Sequence, residues 1–144
     1  MRFVGDIKSD ALLDDSNFTT CLEDGPVMQY FNTGEGFRYK GERPALVNAI
    51  KELYKPTGDL LKQTGYIRIR FIINCNGNAG RFRVLTSDEN FKATNFDTSV
   101  TDQMVDLVSK LDGWQIMIKN ESTLDYYMYI IVKLENGIIK EILP

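Results

Sequence analysis

The chain has no histidine, and that absence removes more chemistry than any other feature of its composition. Histidine is the only side chain whose unperturbed pKa lies in the physiological range, and it is the commonest metal ligand. Ser-His-Asp and Cys-His catalysis are therefore excluded. With two cysteines and no histidine, a structural zinc site is excluded too. Basic residues are not in excess: 17 Lys and Arg against 20 Asp and Glu give a net charge of −3, which argues against a nucleic-acid partner. No uncharged run approaches the roughly 20 residues of a membrane span. The opening Met1-Arg2-Phe3-Val4-Gly5-Asp6 is not followed by the apolar stretch of a signal peptide. The expectation is either a cytosolic protein or one whose signal was removed.

What is present is ordinary globular material. With 144 residues, 43% of them hydrophobic and 26% charged, one domain with a sizeable core is expected. An enzyme built from this composition would run on carboxylates, tyrosine or lysine. Asp125, Glu135 and Glu141 are the carboxylates near the end of the predicted sheet, and such groups on a strand edge are read as solvated. No nucleophile with an adjacent base is visible. The reading is non-enzymatic, with no cofactor. A small carboxylate-dependent enzyme or a structural homodimer is the alternative.

The organising stretch is Gly65–Leu85, which alternates β-formers with polar residues on both sides of Asn76-Gly77. Asn-Gly suits a two-residue type I′ turn, in which both central residues need positive φ. That turn sets Ile73 opposite Gly80, Phe71 opposite Phe82 and Ile69 opposite Val84 on an apolar face. The other face pairs Arg70 with Arg83, Ile72 with Arg81 and Arg68 with Leu85.

Before the hairpin, Met1 to about Thr20 carries Asp6, Asp10, Asp14 and Asp15. It is read as a loosely ordered lead-in with a short helix at Asp10–Asp14. Asp14-Asp15 is read as a solvated charge run rather than a cation site. Val27–Phe31 is a short strand, and Thr33-Gly34-Glu35-Gly36 is a plain turn rather than a phosphate loop. A helix begins near Pro44, suited to a first helical position. It buries Leu46, Ile50 and Leu53, and Pro56 ends it. A short helical turn follows at Asp59–Lys62.

After the hairpin, Ser87–Thr98 is a loop carrying Phe91 and Phe96. A second helix spans about Ser99–Asp112, with Ser99 and Asp102 resembling a capping box. Val100, Met104, Leu107, Val108 and Leu111 fall on one face of it, and Gly113 takes the left-handed position past its end. Trp114 closes the core. Leu124–Leu134 is a third strand, with Tyr126, Met128, Ile130, Val132 and Leu134 toward the core and Tyr127, Tyr129, Ile131 and Lys133 away from it. A second Asn-Gly turn at Asn136-Gly137 returns the chain through Ile138–Leu143. The fold class is α+β: an antiparallel three- to four-stranded sheet with two main helices packed on one face.

The order of these pieces resembles the C-terminal domain of TonB, the periplasmic energy transducer of Gram-negative bacteria. The resemblance rests on Gly65-x-Ile67-x-Ile69-x-Phe71-x-Ile73, Asn76-Gly77, the following helix, the Trp114 corner, the Tyr-rich strand and Asn136-Gly137. It covers roughly Pro44–Pro144, so residues 44–144 are read as a TonB C-terminal-like domain and residues 1–43 as an extension packing on it. The Asn74-Cys75-x-Gly77 turn and the closing Glu141-Ile142-Leu143-Pro144 are more similar to stand-alone exported proteins of Bacteroidetes. The chain has no proline-rich linker or anchor, and the proline that often follows the tryptophan corner is missing.

The resemblance implies a transport-related protein-interaction module of the periplasm or cell envelope. Its partner would be a protein or peptide, such as an outer-membrane receptor or another envelope component, bound by strand addition to the sheet edge. That edge would be Tyr127–Leu134, with Tyr127, Tyr129, Ile131 and Lys133, or the strand of Ile138, Ile139 and Lys140 that covers it. Ile138–Ile142 could equally just protect the edge. Self-pairing to a homodimer is the other use of such an edge. Arg68, Arg70, Arg81 and Arg83 either recognise an anionic partner or are neutralised by nearby acids. For Cys21 and Cys75, export favours a disulfide, and two buried free thiols are the alternative. Cys75 shares parity with Ile73, so its sulfur is expected on the face the helices cover.

Overall fold

A computed structural model of the chain describes residues 7–21, 28–29, 39–119 and 121–143. Its elements run β1 (Met28–Gln29), α1 (Glu42–Leu53), a 3-10 turn (Gly58–Lys62), β2 (Gly65–Ile73) and β3 (Ala79–Ser87). They continue with α2 (Thr98–Ser109), β4 (Met117–Lys119), β5 (Ser122–Leu124), β6 (Tyr126–Glu135) and β7 (Ile138–Leu143). The fold is α+β. One sheet is ordered β1-β6-β2-β3, with β7 also on β6, and β4 and β5 form a separate hairpin. β2, β3, β6 and β7 pair antiparallel, and β1 runs parallel to β6. The expected strand at Val27–Phe31 is present as Met28–Gln29; its remaining residues, and the turn at Thr33–Gly36, lie outside the described residues.

Alternation decides which side of the sheet carries the helices. Ile67, Ile69, Phe71 and Ile73 of β2 and Tyr126, Met128, Ile130, Val132 and Leu134 of β6 are buried in one cluster. Leu46 and Ile50 of α1 and Val100, Met104, Leu107 and Val108 of α2 join it. Trp114 closes one end, with its ring 5.3 Å from Phe71 and 5.0 Å from Tyr39. Leu53, expected in the stripe of α1, is 39% exposed as the last residue of the helix.

Several local expectations are corrected. The β2–β3 connection spans residues 74–78, not two residues, and Gly77 takes positive φ while Asn76 does not. Asn74 is the cause. Its side-chain oxygen accepts from the N–H groups of Asn76 and Asn78, each at 3.0 Å, while the Gly77 N–H donates to the Asn74 carbonyl. Asn is well suited to holding its own turn in this way. Ile73 therefore pairs with Ala79 and Ile72 with Gly80, until a bulge with Arg81 at φ 56 restores the expected Arg70–Arg83, Ile69–Val84 and Arg68–Leu85 pairs. Phe71 and Phe82 still meet, 5.3 Å apart. The I′ turn is at Asn136-Gly137 instead, with φ 48 and 77.

The second helix starts one residue early, because the Asp97 side chain rather than Ser99 accepts the cap hydrogen bond, from the Ser99 N–H at 2.8 Å. It ends at Ser109, so Gly113 is no left-handed helix terminus; it is small because the Tyr39 ring lies against it. Helix α1 begins at Glu42, with Pro44 inside its first turn. The predicted third strand is interrupted at Asp125, and its first residue, Leu124, belongs to the β4–β5 hairpin.

Candidate interaction surface

The sheet has a second face, opposite the helices, and the chain covers half of it with its own N-terminal segment. Residues 7–21 were expected to be a loose lead-in; the structure makes them a strap. Ile7 and Phe18 pack with Ile72 and Tyr127 in a small apolar cluster separate from the main core. The Ile7 N–H donates to the Tyr127 hydroxyl at 3.2 Å. The Phe18 ring lies so close to Gly80 that any Cβ there would collide. Asp10–Asp14 is a single helical turn, closed by the Asp14 N–H on the Asp10 carbonyl at 2.8 Å.

Two of the four arginines hold this strap. Arg83 donates to both carboxylate oxygens of Asp14, at 2.7 and 3.1 Å, and to the Lys8 carbonyl at 2.7 Å. Arg81 reaches the Ile7 carbonyl at 3.4 Å. Asp14 is thus neither a cation ligand nor a solvated charge, whereas Asp15 is exposed. Hydrogen bonding from Arg83 holds the Asp14 carboxyl below its ordinary value, against a smaller upward push from burial, and the same bond raises Arg83.

A depressed carboxylate contributes stability that is complete above its unfolded value and is lost as pH falls through the folded one. The loss here begins near 3.8 and runs below it. Asp14→Asn is expected to cost about 1 kcal/mol at neutral pH and progressively less as pH falls below the ordinary carboxylate value, measured by urea unfolding of both proteins.

The strap ends at a disulfide. Cys21 and Cys75 are bonded, with Cα atoms 5.9 Å apart. Cys75 lies in the turn beyond β2, so strand parity does not extend to it, and the strap reaches it from the face opposite the helices. Asp125, expected as a solvated surface group, is fully buried beside the bridge. Its carboxylate accepts from the Cys21 N–H at 3.0 and 3.1 Å and from the Cys75 N–H at 3.2 Å. Asn74 ties the same corner by donating to the Thr19 carbonyl at 3.0 Å. The bridge fits an oxidising compartment.

Among the described residues, the strap does not extend over the other half of the outer face. Arg68 lies cross-strand from Leu85 and Ile131, and its guanidinium sits 5.0 Å over the Tyr129 ring. Lys133 stands 5.8 Å from the Tyr66 ring, and Phe91 stacks on that ring at 4.5 Å. Leu85 and Phe91 are 62% and 73% exposed.

Of the residues predicted to meet a partner, Tyr127 is buried under the strap, and Arg81 and Arg83 are engaged by it. Arg70 and Tyr129 are half-buried cross-strand neighbours. Arg68, Ile131 and Lys133 border the half beyond the strap. β6 is not an edge, since β2 pairs it on one side and β7 and β1 on the other. On β7, Ile139 packs on the core, while Ile138 and Lys140 are exposed. Tyr66 belongs to the surface through its shared parity with Arg68, which the alternation already contained. Phe91 comes from an irregular loop and had no such signal.

Searches of family models, of curated proteins and of solved structures each find no match to this chain. Among the described residues no helix is long and apolar enough to cross a membrane, and no cluster of three or more His, Cys, Asp or Glu could hold a metal ion.

Proposed function

We propose that the chain is a non-enzymatic interaction module of the periplasm or cell envelope. It would take up an extended segment of a partner protein as an added strand along β7. The observation that carries this reading is the one-sided pairing of β7: among the described residues its only strand partner is β6, with the Ile142 carbonyl near its end taken by the Arg43 guanidinium. An edge of this kind offers unpaired main-chain N–H and C=O groups, and strand addition uses them for affinity while side chains set specificity. Ile138 is 59% exposed at its start, and Lys140 and Glu141 are exposed beyond.

The other edge is less available. The Thr94 N–H donates to the Thr86 carbonyl, Ala93 bridges Ser87, and so the loop after β3 already occupies part of that strand. The disulfide supports an exported protein. The sequence resemblance to TonB C-terminal domains supports an outer-membrane receptor or another envelope protein as the partner.

Removing Ile138–Pro144 would also remove Ile142 from the core, so a probe that leaves the strand intact is the better test. A photo-crosslinking residue placed at Ile138 or Lys140 is expected to form an adduct in an envelope extract, and one at Lys51 on α1 is not. Adducts from Lys51 alone, or none from β7, would overturn the reading. A product of twice the chain mass would instead give the edge to a second copy.

A further inference from the structure

The strap is fastened to the sheet at few points. Among the described residues, Ile7 and Phe18 supply its apolar contacts there, while Leu12 and Leu13 stand in solvent at 96% and 69% exposure. Its polar ties are the Asp14 carboxylate and the Lys8 carbonyl on Arg83, and the Ile7 carbonyl on Arg81. The Ile7 N–H on Tyr127 and the Thr19 carbonyl on Asn74 complete them. Against these ties stands the conformational freedom of residues 7–21, each of which costs free energy to order. Two apolar side chains and one ion pair are little to set against it.

The covalent end changes the balance. Cys75 lies in the turn directly after β2, so the bridge pins Cys21 to the rim of the sheet. A segment tethered beside its docking site meets it at high effective concentration. Without the bridge, the next strand pairing along the described chain is at Met28 on β1. The tether is then longer, and the strap has more conformations to lose on docking. Cys21 is exposed, within reach of an external thiolate. The groups under the strap are not: Ile72 is fully buried and Tyr127 nearly so.

We propose that the Cys21–Cys75 bridge is a redox latch: a dithiol reductant opens it, residues 7–21 leave the sheet, and the face beneath them is uncovered while the helix-covered core stays folded. The step is thiol–disulfide exchange. A thiolate of the reductant attacks the Cys21 sulfur, the bond to Cys75 breaks, and Cys75 leaves as a thiolate that takes a proton. The reductant's second thiol then displaces Cys21 from the mixed disulfide, giving a Cys21 thiol and an oxidised reductant. What opens is Ile72, Gly80, Arg81, Arg83 and Tyr127. The cluster of Ile7, Phe18, Ile72 and Tyr127 is separate from the main core, so its loss leaves the core packing in place. The latch acts on the face of the sheet and does not depend on strand addition along β7.

The test compares the 15N-labelled full chain before and after treatment with a thioredoxin and its reductase at neutral pH, with a thiol titration confirming complete reduction. The nuclear Overhauser contact between the Phe18 ring and Gly80 is expected to vanish. The Asp14 and Phe18 amide protons, which bond within the strap, are expected to exchange about ten-fold faster or more. Ile130 and Val108, in the core, keep their protection. Reoxidation with oxidised glutathione restores the contact. Cys21→Ser with Cys75→Ser should behave as the reduced wild type does, and reduced wild type alone decides should that variant fail to fold.

Persistence of the Phe18–Gly80 contact in the fully reduced chain would overturn the proposal. Loss of protection at Ile130 and Val108 along with the strap would overturn it as well, because the bridge would then hold the whole fold rather than one segment. A bridge that the thioredoxin leaves intact until urea is added would have the same consequence.

Discussion

Replacing Cys21 and Cys75 together by serine is expected to lower stability by about 4 kcal/mol. The bridge closes a loop across a sequence separation of 54 residues, and in the chain-entropy account a loop of that size restricts the unfolded ensemble by about 4 kcal/mol. The two serines keep the backbone N–H groups that Asp125 accepts from, so the buried carboxylate is not orphaned and the cross-link is the main loss. Urea unfolding of oxidised wild type and the double variant measures the difference directly. A loss below about 1 kcal/mol would mean that the noncovalent contacts of the strap already restrict the chain as much as the bridge does.

The second large effect is in the main core. Phe71 is fully buried, with the rings of Phe82 and Trp114 each 5.3 Å from its own. Phe71→Ala removes the ring from between two neighbours held by their own strands and turns, so the site cannot collapse far. The cost is expected at about 4 kcal/mol, the usual range for a buried aromatic cut to alanine. For a domain of this size that corresponds to a fall of roughly 10 °C in Tm. A fall of less than about 3 °C would show that Trp114 swings into the space. Tryptophan fluorescence of the same variant distinguishes the two, since Trp114 is the single tryptophan of the chain.

The helix-covered half of the fold was readable because it obeys simple periods. The α2 stripe of Val100, Met104, Leu107, Val108 and Leu111 is buried as its spacing requires, and the core parity of β6 follows from strict alternation. The hairpin was readable at its far end and misread near its turn, because one side chain, Asn74, bonds two N–H groups and lengthens the loop. That local competition between side chain and backbone leaves no trace in hydrophobic period.

The outer face was less legible, for a different reason. Four arginines on one parity were visible, but the partner of Arg83 lies 69 residues earlier in the chain. Nothing in the local pattern of Ile7–Cys21 says that it lies across a sheet, apart from the two cysteines. Asp125 was read as a surface acid because its type is usually exposed, yet it is buried where two tethered backbone N–H groups converge on it. The sequence left the edge open between the third strand and Ile138–Ile142, because the order of elements alone does not determine that β1 and β7 both add to β6.

The account depends on the N-terminal segment lying across the sheet face opposite the helices, away from β7. Nuclear Overhauser contacts in the full oxidised chain test this most directly. The Phe18 ring should show contacts to the α protons of Gly80, and the Ile7 methyls to Ile72 and the Tyr127 ring. Contacts from Phe18 or Ile7 to Leu46, Met104 or Val108 on the helix side, or none to the sheet at all, would contradict it.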